Sequence, residues 1–322
     1  MIETTVAPDV PADTQVVVRQ LQESDLPEAD RILRAAFDTF LGVPDLFGDK
    51  DYLHTRWLAD PTAAFAAERD GRLAGSNFVT GWGSVGFFGP LSVRPELWDV
   101  GVASRLLPPT VEALDSRGVR HAGLFTFPHS AKHLGLYQKF GFQPRFLTPV
   151  MVRPAPERRS IAFDRYTQLA PGDRPGALDD CRALTHAVYD GLDLTREILA
   201  VDRQGLGEVV LISDTTGLAA MAICHRGPGT EAGAGGCYVK FGAARPGAGA
   251  AERFTALLDA CETLAAERGA THVELGVNTS RLEAYRTVTA RGYRAAMIGV
   301  TMHRGADDGY HRPDAWVMDD WR

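Results

Sequence analysis

Apolar and polar positions change period repeatedly along the first half of the chain, and each change marks an element. Val16-Val17-Val18-Arg19-Gln20-Leu21 is a β-branched run that predicts a strand. Glu23-Ser24-Asp25-Leu26 opens an amphipathic helix through Phe40, with Ser24 or Asp25 placed to cap it. Leu41 to Asp51 carries Gly42, Pro44 and Gly48 and reads as a loop, followed by a helix around Tyr52 to Leu58. Ala63 to Glu68 and Leu73 to Thr80 flank Asp70-Gly71, a strong hairpin signal. Val85 to Val93 predicts a strand, and Val100 to Arg117 a helix that stops at Gly118. Ala122 to Phe127 is a strand, Ser130 to Phe140 a helix ended by Gly141, and Phe142 to Val152 a last strand. The order β-α-α-β-β-β-α-β-α-β predicts an α/β structure, a mixed and mostly antiparallel sheet flanked by helices.

Arg153 to Arg159 is proline-rich and charged, and after it the same order recurs. Ile161 to Leu169 predicts a strand, Ala177 to Asp202 holds helices, and Val209 to Ser213 with Leu218 to Cys224 predicts a hairpin around Thr216-Gly217. Tyr238 to Ala243 follows as a strand, Ala250 to Arg268 as a helix ended by Gly269, then strand, helix and strand to Met302. A shift of 151 residues maps Arg94-Pro95 onto Arg245-Pro246, Leu106-Leu107 onto Leu257-Leu258, and Arg117-Gly118 onto Arg268-Gly269. It also maps His121 onto His272, Leu124 onto Leu275, and Gly141-Phe142 onto Gly292-Tyr293. The expected organisation is a flexible leader at 1–15, an N-terminal domain at 16–153, a linker at 154–160 and a C-terminal domain at 161–322. The aromatic tail from Tyr310 to Arg322 is expected to dock as an extra strand or to lie across the junction.

Composition narrows the class. Of 322 residues, 45% are hydrophobic and 23% charged, which excludes a disordered chain or a fibre. No apolar run approaches a bilayer span, so no membrane association is expected. A net charge of -7 carries no basic footprint for nucleic acid. The polar, acidic N-terminus lacks the features of a signal peptide, and Cys181, Cys224, Cys237 and Cys261 form no CxxC pair. Buried, reduced thiols in a cytoplasmic protein are the expectation, with no metal.

The chemistry concentrates in one segment. Leu91-Ser92-Val93 ends a strand, and Trp98-Asp99-Val100-Gly101-Val102-Ala103-Ser104 opens a helix. Unpaired amides and the positive end of the helix suit a pyrophosphate, and small residues at 101 and 103 admit it closely. Tyr137-Gln138-Lys139-Phe140-Gly141-Phe142 then gives helix end, glycine stop and strand.

These two segments resemble the GNAT acyltransferases. That superfamily binds acyl-CoA with Arg/Gln-x-x-Gly-x-Gly/Ala and ends its last helix with Tyr-x-x-x-Gly-Phe. Trp98 to Ala103 matches the first pattern except that Trp98 stands at its opening position; Tyr137 to Phe142 matches the second throughout. Glu68 to Gly75 is similar to the family's second and third strands. The resemblance implies two tandem GNAT-like domains and acetyl-CoA as cosubstrate. It places the cosubstrate on Leu91, Ser92, Val93, Trp98, Asp99, Val100, Gly101, Val102, Ala103, Ser104 and Ser130. It implies direct attack by the primary amine of a small molecule on the thioester, with Tyr137 protonating the leaving thiolate. Glu68, Glu96, Asp99, His129 and His133 remain open as bases, and a water chain would also serve. A non-catalytic CoA-binding protein and a lysine acetyltransferase are the alternatives, and homodimerisation is left open.

The 151-residue shift places Glu252 opposite Gly101, Phe254 opposite Ala103 and Val288 opposite Tyr137, so the second half reads as degenerate. Pro246 to Ala251 could still form a glycine-rich loop of its own. Three further signals weigh less. Gly227 to Ala232 fits GxGxxA but lies between two strands and reads as a flexible hairpin; His129 and His133 share a helix face without completing a metal motif; Ser84 lacks a nucleophile elbow. Asp45, Asp49 and Asp51 could hold an amine, with a solvated loop as the plainer reading.

Overall fold

The structure is a computed structural model that describes residues 16–155 and 161–322. The expected leader at 1–15 and most of the expected linker, 156–160, lie outside the described residues.

The first half runs β1 (Val17–Gln20), α1 (Leu26–Leu41), α2 (Leu53–Ala59), β2 (Ala64–Arg69), β3 (Arg72–Trp82), β4 (Val85–Phe88), β5 (Ser92–Val93), α3 (Val102–Ser116), β6 (His121–Thr126), α4 (Ala131–Gln138) and β7 (Phe142–Pro154). Asp70 and Gly71 both take left-handed φ, 55° and 70°, as the tight turn between β2 and β3 requires. Gly42 closes α1 at φ 67°, its N–H bonded to the Asp38 carbonyl. The strand expected over Val85 to Val93 is broken. β4 stops at Phe88, Pro90 has no N–H to continue a ladder, and β5 resumes against β3 alone.

The second half runs β8 (Asp164–Arg165), α5 (Arg174–Val188), α6 (Thr195–Gln204), β9 (Gly207–Asp214), β10 (Gly217–Gly227), β11 (Gly233–Ala244), α7 (Ala250–Glu267), β12 (His272–Gly276), α8 (Leu282–Ala290), β13 (Arg294–Arg304) and β14 (Val317–Met318). The strand expected over Ile161 to Leu169 shortens to β8, because the chain turns into a 3₁₀ helix at Tyr166–Gln168.

The expectation of one sheet per half is corrected. Among the described residues, fourteen strands form a single sheet, ordered β1-β2-β3-β4-β6-β13-β7-β12-β11-β10-β9-β8, with β5 on β3 and β14 on β11. The strand after the last helix of each half closes the other half: β13 pairs with β6, and β7 pairs with β12. β7 and β13 then pair antiparallel in the middle, from Arg304↔Phe142 to Arg294↔Val152. One residue is skipped on each strand, Ala296 on β13 and Arg145 on β7, and these positions stand 151 apart. Exchanging the halves therefore leaves this central pairing unchanged, bulges included.

A buried core straddles the halves, bringing Trp82, Val85 and Phe87 against Leu184, Ile198 and Phe241. Beside it runs a buried ionic chain. The Arg56 guanidinium donates to Glu231 at 3.0 Å through both Nε and Nη2. Lys240 donates to Glu231 at 2.9 Å and lies 3.0 Å from Glu197, which accepts from the Trp82 indole at 3.1 Å. Burial alone would raise the Glu231 pKa; Arg56 and Lys240 outweigh it and hold the carboxyl well below its ordinary range. The GxGxxA segment is thus no flexible hairpin, since Glu231 within it is fully buried. All four cysteines are buried and free. The tail both adds strand β14 and crosses the junction, where Trp321 stacks on Phe87 at 5.7 Å.

Candidate active site

Where β4 leaves the sheet, a wedge opens. β4 runs parallel to β6 from Val85↔His121 to Phe88↔Leu124, but β6 continues to Thr126 while the other chain turns away. β5 is pinned to β3 by Gly75↔Val93 and Ser76↔Ser92. A Cβ on Gly75 would collide with the Ser92 carbonyl, so that close pairing requires glycine. The wedge widens into a cavity of about 790 Å³ bounded by α1, the loop after it, the α3 N-terminus, α4 and the chain's tail.

The N-terminus of α3 faces this cavity uncapped. Gly101 is the N-cap at φ 86°, no side chain bonds to it, and a Cβ there would meet nothing within 4 Å. The first-turn amides and the positive end of the helix are therefore available to an anionic ligand. Asp99 is left-handed as well, at φ 69°. Trp98, the departure from the family pattern, fixes the loop instead: its indole donates to the Val93 carbonyl at 2.9 Å. Lys132 sits 5.7 Å over that ring and 2.7 Å from the Asp99 carboxylate.

Leu91, Ser92, Val93, Trp98, Asp99, Gly101, Val102, Ala103, Ser104, Ser130 and Tyr137 all line the cavity. Val100 does not; its side chain is half exposed on the outside of the loop. Ser130 also caps α4, accepting from the His133 N–H at 3.3 Å. Tyr137 is buried on α4, edge-on to Phe88 at 5.6 Å, and burial pushes its phenol pKa up, keeping it protonated.

The five basic candidates separate. Glu68 accepts from Arg19, Glu96 is exposed beside Arg94, and His129 stacks on Phe40. Asp99 and His133 line the cavity, and burial first, then Lys132 and His129, lower the His133 pKa. The acidic loop residues do other work. Asp49 accepts from the Ala234 N–H at 2.9 Å and Asp51 from the His54 N–H at 3.0 Å, and neither they nor Asp45 line the cavity. Aromatic rings occupy that side: Phe37, Phe40, Phe47, Tyr52, Phe127 and Trp321. Phe37 and Phe40 were readable only as a helix face, and Trp321 arrives from the far end of the chain.

The corresponding place in the second half is closed. The helix there begins earlier than the ungapped shift implies: Gly249, at φ 78°, is the N-cap of α7, which puts Glu252 and Arg253 in its first turn. Arg253 spans the opening, donating to Asp214 at 3.0 Å and to the Ala248 carbonyl at 3.1 Å. β14 pairs with β11 at Gly242↔Met318 and Ala243↔Val317, the positions 151 residues after Leu91 and Ser92. Gly276 leaves room for Asp320, which a Cβ would strike. Val288 and Phe254 are fully buried in the core under α7.

The sequence profile of the acetyltransferase (GNAT) family matches residues 28–142. No match is found among curated proteins. Solved structures match over most of the chain. A candidate acetyltransferase from Pyrococcus horikoshii is 14% identical with a TM-score of 0.66, covering 98% of this chain and 97% of its own. A GCN5-related N-acetyltransferase from Sphaerobacter thermophilus is 18% identical with a TM-score of 0.59, covering 91% and 97%. A glucosamine N-acetyltransferase region of a fungal multi-domain β-N-acetylglucosaminidase is 14% identical with a TM-score of 0.61, covering 92% and 39%. At these identities the likeness is one of fold. The family match falls on the segment that builds the cavity: residues 28–142 match the GNAT acetyltransferase family as a domain.

Proposed function

We propose that this protein is an acetyl-CoA-dependent N-acyltransferase whose first half is catalytic and whose second half is a degenerate GNAT-like domain. The observation that carries the reading is the uncapped α3 N-terminus at Gly101 opening into a cavity that also holds Tyr137. Acetyl-CoA supplies an activated thioester. The first-turn amides of Val102, Ala103 and Ser104 receive its pyrophosphate, and the free edge of Leu91, Ser92 and Val93 receives the pantetheine arm. The buried Tyr137 hydroxyl, held protonated, donates its proton to the departing thiolate. His133, kept neutral by burial, is placed on the same helix one turn away to take a proton from the attacking amine.

The acceptor is the primary amine of a small molecule. Rings on α1, on its following loop and at Trp321 favour an amine on a flat apolar body over a strongly cationic one, because Lys50 and Arg322 also line that side. The test is thiol release from acetyl-CoA against amines graded from aliphatic to aromatic, with calorimetry for CoA. Turnover with aromatic amines and one CoA per chain support the reading. CoA binding without turnover would favour a binding protein, and a stoichiometry of two would place a second site in the C-terminal half.

A further inference from the structure

Three histidines from three separate segments converge between the halves. His121 opens β6, His303 lies near the end of β13, and His311 belongs to the tail that precedes β14. All three are buried. Ring centroids are 4.6 Å apart for His121 and His303, 4.6 Å for His303 and His311, and 5.4 Å for His121 and His311. Both ring nitrogens of His121 and His303, and Nε2 of His311, have no hydrogen-bond partner. The Asp307 backbone neighbours His121 without acceptable hydrogen-bond geometry. A neutral imidazole carries one donor and one acceptor, and a core needing only bulk would take phenyl rings instead.

We propose that His121, His303 and His311 form a binding site for a zinc-class divalent metal that ties the two halves and the tail together. One nitrogen from each ring lies within 4.8 Å of the other two, so a common centre is at most about 2.8 Å from each. Zinc–imidazole bonds are about 2.0–2.1 Å, so closure takes movements under about 1 Å. Three imidazoles leave one position for water, and imidazole nitrogen suits zinc over magnesium or calcium.

The surrounding charge permits a cation. Arg281 lies 3.4 Å from His311 Nδ1 but is paired with Asp319 at 2.6 Å, while Asp307 stands by His121. Backbone also frames the site, since a Cβ on Gly309 would lie 2.7 Å from His121 Cδ2. Trp321 packs on all three rings, at 4.8 Å from His311, 5.4 Å from His121 and 5.6 Å from His303. The same indole lines the proposed acyl-transfer cavity, so the metal would fix one wall of it. The inference does not depend on the acyltransferase reading, because the site is built from other residues.

The test uses the full chain, assayed for metal as purified and again after chelation. One equivalent of zinc, or uptake of cobalt with the visible absorption of a tetrahedral site, supports the proposal. So does a thermal midpoint that zinc raises and magnesium does not. His311→Ala should weaken metal binding by more than about 100-fold with an unchanged far-ultraviolet spectrum. His303→Ala serves as the second variant if the first folds poorly. A chain that neither carries nor takes up zinc or cobalt overturns the proposal. So does binding undiminished in both variants.

Discussion

The wedge beside β5 and its counterpart beside β11 start from the same strand-and-helix arrangement and end in opposite states. In the first half, Leu91 and Phe125 carry side chains into the space and the chain's own backbone stays out of it. In the second half, the positions 151 residues later are Gly242 and Gly276, and the tail lies across them as β14 and Asp320. Both helices start at a left-handed glycine without a side-chain cap, but the space at Gly101 is open, whereas Glu252 and Arg253 lie beside Gly249 in the first turn of α7. An open cavity and a strand-filled groove thus occupy equivalent places, each beside a free backbone edge.

The strongest way to break this comparison is at the open helix end. Gly101→Glu puts a carboxylate where the pyrophosphate would sit, and acetyl-CoA binding should vanish in calorimetry. Gly101→Ala, which shares the left-handed strain without the charge, should keep most of the affinity. Equal affinity in the glutamate variant would move the cofactor elsewhere.

Next in size is the bond between the halves. Glu231→Gln leaves Arg56 and Lys240 buried without their shared anion, a loss of about 3–5 kcal/mol in denaturant melts. The Glu231 pKa is depressed on folding, so its contribution is present above the unfolded value and fades as pH falls through the folded one. The variant should therefore lose less stability than the parent on acidification below about pH 4.5. Two separate melting transitions in the parent would mean that the halves are independent after all.

Tyr137→Phe removes one hydroxyl from the first half. Turnover should fall on the order of 10²-fold with CoA affinity unchanged. Normal turnover would assign the proton to another group. The smallest effect sharpens the asymmetry: Val288→Ala, at the position matching Tyr137, should destabilise by about 1–3 kcal/mol and leave the chemical step alone. A dead Val288→Ala enzyme that still folds would put catalysis in the wrong half.

Much of the first-half site was readable because it depends on local chemistry. A helix that starts at Gly101 after an irregular loop, and one that stops at Gly141 after Tyr137, announce themselves within a few residues. Spacing alone does not tell which side chain of a turn points outward, and in this loop it is Val100. The strand exchange was hidden for a different reason. β7 and β13 carry equivalent patterns, so either could close either half, and periodicity is blind to which partner is chosen. The earlier start of α7 escaped an ungapped comparison that was otherwise correct for the strand and helix after it. The histidine cluster has no sequence signature at all, since its members come from two strands and a tail.

The exchanged strands also set a clock on synthesis. Thr126 of β6 pairs with Val300 of β13, so the edge that β6 presents has no native partner until 174 more residues exist. At about 5–20 residues per second, that interval is roughly 10–35 s on the ribosome. Throughout it, β6 has β4 on one edge but nothing on the other, and the thirteen-residue strand β7 lacks both its partners, the situation in which sheet edges pair wrongly. Yield of folded protein should therefore depend on translation speed across the second half more than across the first.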